Sequence, residues 1–143
     1  MDEEYLRGSE IILLVDDDEL IVDVAKLMLE KIGYTVFTAS SGNEALMHYQ
    51  MHRNDIDLVI LDLVMPDMDG EEVYGKLKKI DSGVTVLLSS GYTIEGKAAE
   101  ILRCGCNGFL QKPFNLKRLS IKIRELLDKQ APLAVNDKLA LAL

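Results

Sequence analysis

The sequence predicts an α/β fold in which a doubly wound, five-stranded parallel sheet is covered by helices on both faces. Two observations carry this prediction. Short apolar runs alternate along the chain with segments whose apolar residues recur at helical spacing. The apolar runs are nearly continuous rather than alternating with polar residues, which is typical of strands that are covered on both sides.

Five apolar runs predict the strands. The first lies between charged residues, and the third has the strongest strand character. The predicted strands are 11–15, 34–39, 57–63, 84–90 and 108–111.

A helical pattern follows each predicted strand, which gives five helices. Gly33 is the stop signal of the first helix, and Ser41 with Glu44 fits a capping box that opens the second. The apolar residues at helical spacing are Ile21, Val24, Ala25, Met28, Leu29 and Ile32 in the first helix, Val73, Leu77 and Ile80 in the third, Ile94, Ala98, Ile101 and Leu102 in the fourth, and Leu116, Leu119, Ile123 and Leu126 in the fifth.

The length and charge of the chain limit its function. Its 143 residues fit one compact domain with a core. The net charge of −8 argues against direct binding of nucleic acid, which depends on basic surface. Because the chain shows neither a signal peptide nor an apolar run of the roughly 18 residues that cross a bilayer, we expect a cytoplasmic protein without membrane insertion.

Polar side chains follow the predicted strands at the points where the strands end. Because the carboxyl ends of parallel strands meet at one edge of a sheet, and ligands bind there, we expect these side chains to lie together. They are Asp16 and Asp17 after the first strand, Asp62 after the third, Ser89 and Ser90 at the end of the fourth, and Lys112 after the fifth.

This set of side chains suits a metal ion and a phosphoryl group. Three clustered carboxylates cannot all stay ionised at neutral pH without a cation, and oxygen ligands select a hard divalent ion such as Mg²⁺. Lys112 and a serine hydroxyl can bind phosphoryl oxygens, and a carboxylate can accept a phosphoryl group covalently. Three further aspartates have structural interpretations. Asp18 caps the first helix. Asp67 and Asp69 lie in the turn before the third helix, where Gly70 supplies backbone freedom.

Four motifs occur in order: "LLVDDDE", "LDLVMPDMDG", "LLSSGYT" and "GFLQKPF". On these motifs, the chain resembles the receiver domain of two-component response regulators over roughly residues 10–128. The resemblance implies a flavodoxin-like sheet of order 2-1-3-4-5. It leaves 1–9 as a flexible segment and 129–143 as a tail or linker remnant.

The resemblance also implies the role of each site residue. Asp62 would be the phosphoacceptor, and Ser90 is preferred to Ser89 as the switch residue because Gly91 follows it. Phe109 would be the aromatic switch residue, although it lacks the hydroxyl group of the tyrosine often found there. The remaining roles are Mg²⁺ (or Mn²⁺) binding by Asp17, Asp62 and the backbone carbonyl of Val64, with Asp16 acting directly or through water. Lys112 would bind the phosphoryl group, and a cis Pro113 would have a structural role.

The implied function is signalling rather than catalysis on other substrates. A histidine kinase or a histidine phosphotransfer domain would donate the phosphoryl group, and a homodimer could form through the fourth helix, fifth strand and fifth helix. Two alternatives remain: a degenerate receiver that only binds proteins, and a magnesium-dependent phosphohydrolase. The stretches "RGSEIILLVDDDE" and "LLSSGYT" resemble those of receivers attached to hybrid sensor kinases, and this resemblance favours such an origin over a stand-alone regulator.

Overall fold

The computed structural model describes residues 6–91, 106–112 and 115–130. Within these residues the elements are β1 (Ile11–Val15), α1 (Glu19–Lys31), β2 (Thr35–Ala39), α2 (Gly42–His52), β3 (Leu58–Asp62), α3 (Gly70–Ile80), β4 (Val86–Ser90), β5 (Gly108–Gln111) and α4 (Leu116–Gln130). The fourth predicted helix lies outside the described residues, so α4 corresponds to the fifth. In the described part of the chain, every helix is too short or too polar to span a bilayer.

The strands form a parallel sheet in the order β2-β1-β3-β4-β5, which confirms the predicted fold class and strand order. In the centre of the sheet, Leu13 of β1 lies between Phe37 of β2 and Val59 of β3. β2 lies on one side of β1, and β3 lies on the other side, so the order in which strands are added to the sheet changes direction at β1. This switch point brings the carboxyl ends of β1 and β3 side by side.

Alternate residues of β1 pack on opposite faces of the sheet. Leu13 and Val15 belong to a buried cluster with side chains of α2 and α3. Ile12 and Leu14 belong to a second buried cluster with side chains of α1 and α4. Both faces are therefore covered, as the continuous apolar runs predict.

The ends of the first two helices follow the local signals in the sequence. Asp18 caps α1 as predicted, because one of its carboxylate oxygens accepts from the backbone N–H groups of Leu20 and Ile21 at 3.0 and 3.3 Å. Ser41 caps α2 by accepting from the backbone N–H of Glu44 at 3.1 Å. After α1, Gly33 adopts φ +110°, which side chains rarely allow, so the predicted stop is confirmed.

The segment before β1 runs against the helices that cover one face. The backbone N–H of Gly8 donates to the carbonyl of Ile32 at 3.1 Å, just after α1. The backbone N–H of Leu6 donates to the hydroxyl of Ser120 in α4 at 3.4 Å. A Cβ atom on Gly8 would overlap the ring of Tyr34, so the close approach of this segment to α1 requires glycine at position 8.

Candidate functional site

The structure brings the aspartates of two adjacent strands together at the predicted edge of the sheet. Asp16 and Asp17 follow β1, and Asp62 is the last residue of β3. One carboxylate oxygen of each lies within 4.8 Å of the other two. Asp16 and Asp62 are buried, with 4% and 6% of their surface exposed, whereas Asp17 is exposed.

Lys112 joins this cluster from the far side of β4. Its ammonium group donates to Asp16 Oδ2 at 2.6 Å and to Asp62 Oδ1 at 3.1 Å. The backbone N–H of Lys112 donates to the carbonyl of Ser90 at 2.7 Å, which fixes the residue after β5 beside the end of β4. We call Asp16, Asp17, Asp62 and Lys112 the aspartate–lysine site.

The charges in the aspartate–lysine site do not balance. Burial, and next the charge of Asp16, raise the pKa of Asp62 to about 6, and Lys112 opposes this shift without cancelling it. Burial alone would lower the pKa of Lys112, but the hydrogen bond and charge of Asp16 and the charge of Asp62 outweigh burial, and the pKa is raised. The lysine therefore stays charged while the site retains an excess of carboxylate.

The loop after Asp62 is held in place by close packing. The backbone N–H of Gly70 donates to the carbonyl of Leu63 at 2.7 Å. A Cβ at Gly70 would lie 2.8 Å from Leu63 Cα and 2.9 Å from the carbonyl oxygen of Asp62. The sequence suggested backbone freedom as the reason for this glycine, but its φ is not in the left-handed region, and the requirement is for space.

Asp67 and Asp69 lie before α3, in the predicted turn. Asp69 caps α3 by accepting from the backbone N–H of Glu72 at 3.0 Å. The carboxylate of Asp67 instead accepts from the backbone N–H groups of Gly42 and Asn43, at 3.0 and 3.2 Å. The bond from Gly42 is the main cause of a lowered pKa for Asp67. Sequence reasoning missed this link to α2, because its partners lie 24 and 25 residues earlier.

The remaining candidate residues surround the aspartate–lysine site. Ser89 lies opposite Asp62 in the sheet register, and both Ser89 and Ser90 are buried. Phe109 is half-buried on β5 and packs against the core. The side chain of Val64 is 55% exposed, and Pro113 lies outside the described residues. The roles that the resemblance implies for these residues stay predictions.

The aspartate–lysine site fits a hard divalent cation. Its donors are carboxylate oxygens from three side chains that already lie close together, and Mg²⁺ commonly uses one or two carboxylates. The repulsion between Asp16 and Asp62 that raises the pKa of Asp62 is the interaction that a cation would relieve. Lys112 offers a further positive charge to an anionic ligand at the same edge.

Comparison with known proteins identifies relatives of this chain. Residues 12–124 match the family model of the response regulator receiver domain. The chain is 37% identical over 125 residues to sensor kinase CckA of Brucella abortus and 31% identical over 118 residues to response regulator SaeR of Staphylococcus aureus. These matches cover 87% and 82% of the chain, but only 13% of CckA and 50% of SaeR.

A solved structure gives the same result for the fold. The crystal structure of a response regulator receiver domain protein from Clostridium thermocellum superposes with a TM-score of 0.81 at 32% sequence identity. The superposition covers 85% of this chain and 96% of that one. The chain therefore belongs to the response regulator receiver domain family.

Proposed function

We propose that this domain accepts a phosphoryl group on Asp62 from a phosphohistidine of a histidine kinase or a histidine phosphotransfer domain. The observation that carries the proposal is a buried carboxylate, Asp62, that touches Lys112 and lies among two further carboxylates. In the transfer, the P–N bond to the donor histidine breaks, a P–O bond to Asp62 forms, and the donor imidazole leaves with the electron pair of the broken bond.

The neighbours of Asp62 have distinct parts in this proposal. Asp16, Asp17, Asp62 and the backbone carbonyl of Val64 would hold Mg²⁺ (or Mn²⁺), which supplies charge neutralisation when bound. Lys112 exchanges its contact with the Asp62 carboxylate for a contact with a phosphoryl oxygen. Ser90, buried at the end of β4, donates a hydrogen bond from its hydroxyl group to another phosphoryl oxygen.

Phosphorylation would switch a surface of the domain. The phosphoryl group adds about −1.5 to −2 charges at neutral pH. Ser90 and Phe109 move towards the modified site, which changes the surface formed by the fourth predicted helix, β5 and α4. Shifting such an equilibrium from 1:99 to 99:1 requires about 5.5 kcal/mol. A few charge-assisted hydrogen bonds at about 1.5–3 kcal/mol each would supply it.

The same surface is where we propose a homodimer, and the partners are proteins rather than nucleic acid, given the net charge of −8. The similarity to CckA supports the proposal that the domain belongs to a hybrid sensor kinase. A stand-alone regulator is the alternative. The cytoplasmic location remains a prediction.

Intact-mass measurement tests the proposed function. The protein is incubated with Mg²⁺ and a small phosphodonor, with Asp62→Asn as the matched control and a chelator as the metal control. We expect one phosphoryl adduct that is absent from Asp62→Asn and is lost with the chelator. The lack of any adduct would favour the protein-binding module, and turnover of a small phosphate ester beyond one equivalent would favour the phosphohydrolase.

A further inference from the structure

The loop between Asp62 and α3 is anchored at both of its ends. At its start, the backbone N–H of Leu63 donates to the carbonyl of Ser89 at 3.0 Å. At its end, the backbone N–H of Gly70 donates to the carbonyl of Leu63. Between these points the side chain of Val64 is more than half exposed, so its own packing holds it only weakly. The position of Val64 therefore depends on what holds the rest of the loop.

Asp67 ties the inside of this loop to α2. Its Oδ1 accepts from the backbone N–H of Gly42 at 3.0 Å, and its Oδ2 accepts from that of Asn43 at 3.2 Å. These two N–H groups belong to the first turn of α2, where N–H groups lack partners within the helix and a carboxylate is attracted. One side chain therefore fixes the loop at two points on a rigid element.

The loop also lies in close contact with the start of α2. A Cβ atom on Gly42 would lie 2.8 Å from the Cβ of Met68 and 2.9 Å from Cγ2 of Val73, so this approach requires glycine. Met65 and Met68 are buried, but unbranched thioether side chains adapt to different positions of the backbone. The methionines keep the loop against the core, and the hydrogen bonds of Asp67 define its distance from α2.

Asp67 is not one of the carboxylates that converge in the aspartate–lysine site. Within the part of the chain that the structure describes, that group consists of Asp16, Asp17 and Asp62. Both carboxylate oxygens of Asp67 accept from α2 instead. An effect of Asp67 on a cation in the aspartate–lysine site must therefore pass through the loop.

We propose that Asp67 is a positioning residue, which ties the loop after Asp62 to the start of α2 and so holds the backbone carbonyl of Val64 where Mg²⁺ can bind it. Mg²⁺ demands near-octahedral geometry with ligands at about 2.0–2.1 Å, so a carbonyl that can move away binds it less well. Replacing residues that orient metal ligands commonly lowers the affinity about 10–100-fold. The role of Val64 rests on the proposed function, whereas the contacts of Asp67 with α2 do not.

Calorimetric Mg²⁺ titration of Asp67→Ala and Asp67→Asn tests this role. Both variants lose the same negative charge, so a difference between them reports the hydrogen bonds rather than electrostatic attraction. The amide oxygen of asparagine can still accept from Gly42, but its amide nitrogen cannot accept from Asn43. We expect the Kd for Mg²⁺ to rise about ten-fold in Asp67→Ala and by clearly less in Asp67→Asn.

Ser41→Ala is the matched control at the start of α2. Ser41 accepts from the backbone N–H of Glu44, so its replacement weakens the same helix end but leaves the loop tied, and the Mg²⁺ affinity should not change. Gly42→Ala displaces the loop from the other side of the contact without a change of charge, and it should raise the Kd as Asp67→Ala does. Amide hydrogen exchange of 64–68 should quicken in Gly42→Ala and Asp67→Ala but not in Ser41→Ala. Urea unfolding checks that each variant is folded.

An unchanged Mg²⁺ affinity in folded Asp67→Ala would overturn the inference. Equal affinities in Asp67→Ala and Asp67→Asn would also overturn it, because the lost charge alone would then be the cause. An equal loss of affinity in Ser41→Ala would do the same, because the stability of the helix end would then be responsible.

The wild-type chain separates failure of this inference from failure of the proposed function. Mg²⁺ binding without a phosphoryl adduct on Asp62 would contradict the proposed function alone. An adduct on Asp62, together with a Mg²⁺ affinity that does not depend on Asp67, would contradict the inference alone. A wild-type chain that binds no Mg²⁺ would contradict both.

Discussion

Two clusters of charged side chains lie at opposite ends of the same sheet. In one cluster the pKa of a carboxyl group is raised, and in the other the pKa of a carboxyl group is lowered. At the carboxyl end, burial and Asp16 raise the pKa of Asp62. At the amino end, Glu10 just before β1 binds Arg124 of α4 through two parallel hydrogen bonds of 2.7 and 2.9 Å. Hydrogen bonding to Arg124 lowers the pKa of Glu10.

The second cluster, which we call the Arg124 network, also includes Tyr34 and Asp128. Arg124 donates to the hydroxyl group of Tyr34 at 3.2 Å and to Asp128 at 2.7 Å. Its planar guanidinium group meets each partner with good geometry, which an ammonium group cannot do. Lys112 must serve two buried carboxylates with one ammonium group, and a third carboxylate lies close by. The Arg124 network stabilises the fold, whereas the aspartate–lysine site keeps repulsion that a ligand can relieve.

Removal of Lys112 should give the largest effect. Lys112→Met leaves Asp16 and Asp62 buried without their cation, and we expect a loss of about 2–3 kcal/mol in the free energy of unfolding at pH 7 without Mg²⁺. Mg²⁺ should restore much of it, because a divalent cation takes over the neutralisation. Urea unfolding with and without Mg²⁺ measures both effects. An equal loss under both conditions would show that Lys112 has only a packing role.

Removal of Arg124 should cost slightly less and should not respond to Mg²⁺. Arg124→Met breaks the paired hydrogen bonds to Glu10 and the bond to Asp128, and we expect a loss of about 1–2 kcal/mol. Arg124→Lys is the control, because it keeps the charge but loses the paired geometry, and it should recover only part of the loss. Urea unfolding measures the loss in the free energy of unfolding, and calorimetric titration measures the Mg²⁺ affinity. A weakened Mg²⁺ affinity in Arg124→Met would contradict the separation of the two clusters.

Two glycines of α3 sharpen the comparison, because one of them lies against the aspartate–lysine site and the other does not. Gly70→Ala should cost about 1–2 kcal/mol and weaken Mg²⁺ binding, because its Cβ meets the backbone of Leu63 and Asp62 at 2.8 and 2.9 Å. Gly75→Ala should stabilise the protein by about 0.5–1 kcal/mol, because nothing lies within 4 Å of its Cβ in the interior of the helix. Thermal unfolding and calorimetric Mg²⁺ titration check both. Equal effects of the two substitutions would contradict this prediction.

The pH dependence of stability should differ in sign between the clusters. The pKa of Asp62 is raised from 3.8 to about 6, so between these values the folded state holds a proton that the unfolded state has lost, and stability falls as pH rises. Asp62→Asn should therefore stabilise the metal-free protein by about 1–2 kcal/mol at pH 7, with allowance for solvent screening.

Glu10→Gln is the matched substitution in the Arg124 network. The pKa of Glu10 is lowered, so its contribution is present above its ordinary pKa of 4.5 and is lost as pH falls through the folded value. We expect Glu10→Gln to cost about 0.5–1 kcal/mol at pH 7, because the pair is partly exposed. Unfolding curves from pH 4 to 8 compare the two variants. Effects of the same sign at pH 7 would rule out the contrast between the clusters.

The sequence predicts the fold well where local signals and burial agree. The strands at 11–15 and 108–111 match β1 and β5 to the residue. The strand predicted at 84–90 begins instead at Val86. The prediction is two residues too long because Val84 and Thr85 are also buried, and a pattern of buried residues cannot separate a strand from the loop packed before it. The meeting of Asp16, Asp17 and Asp62 follows from strand order alone.

Interactions between distant residues are harder to predict. Glu10 and Arg124 are 114 residues apart, and neither has a local signal that marks it as a partner of the other. The apolar cleft between Leu20 of α1 and Lys112 depends on how α1 lies on the sheet, which periodicity does not specify. The sequence marks Gly70 as a structural residue. The reason, which is the lack of space for a Cβ atom beside Leu63, follows only from the packing of the loop after Asp62.

A crystal structure of the protein grown with Mg²⁺ tests the central claim most directly. We expect one cation within about 2.0–2.1 Å of carboxylate oxygens of both Asp17 and Asp62, at the edge that Lys112 shares. A saturating concentration of Mg²⁺ that leaves this edge empty, or places the cation where Asp17 and Asp62 do not both reach it, would contradict the account.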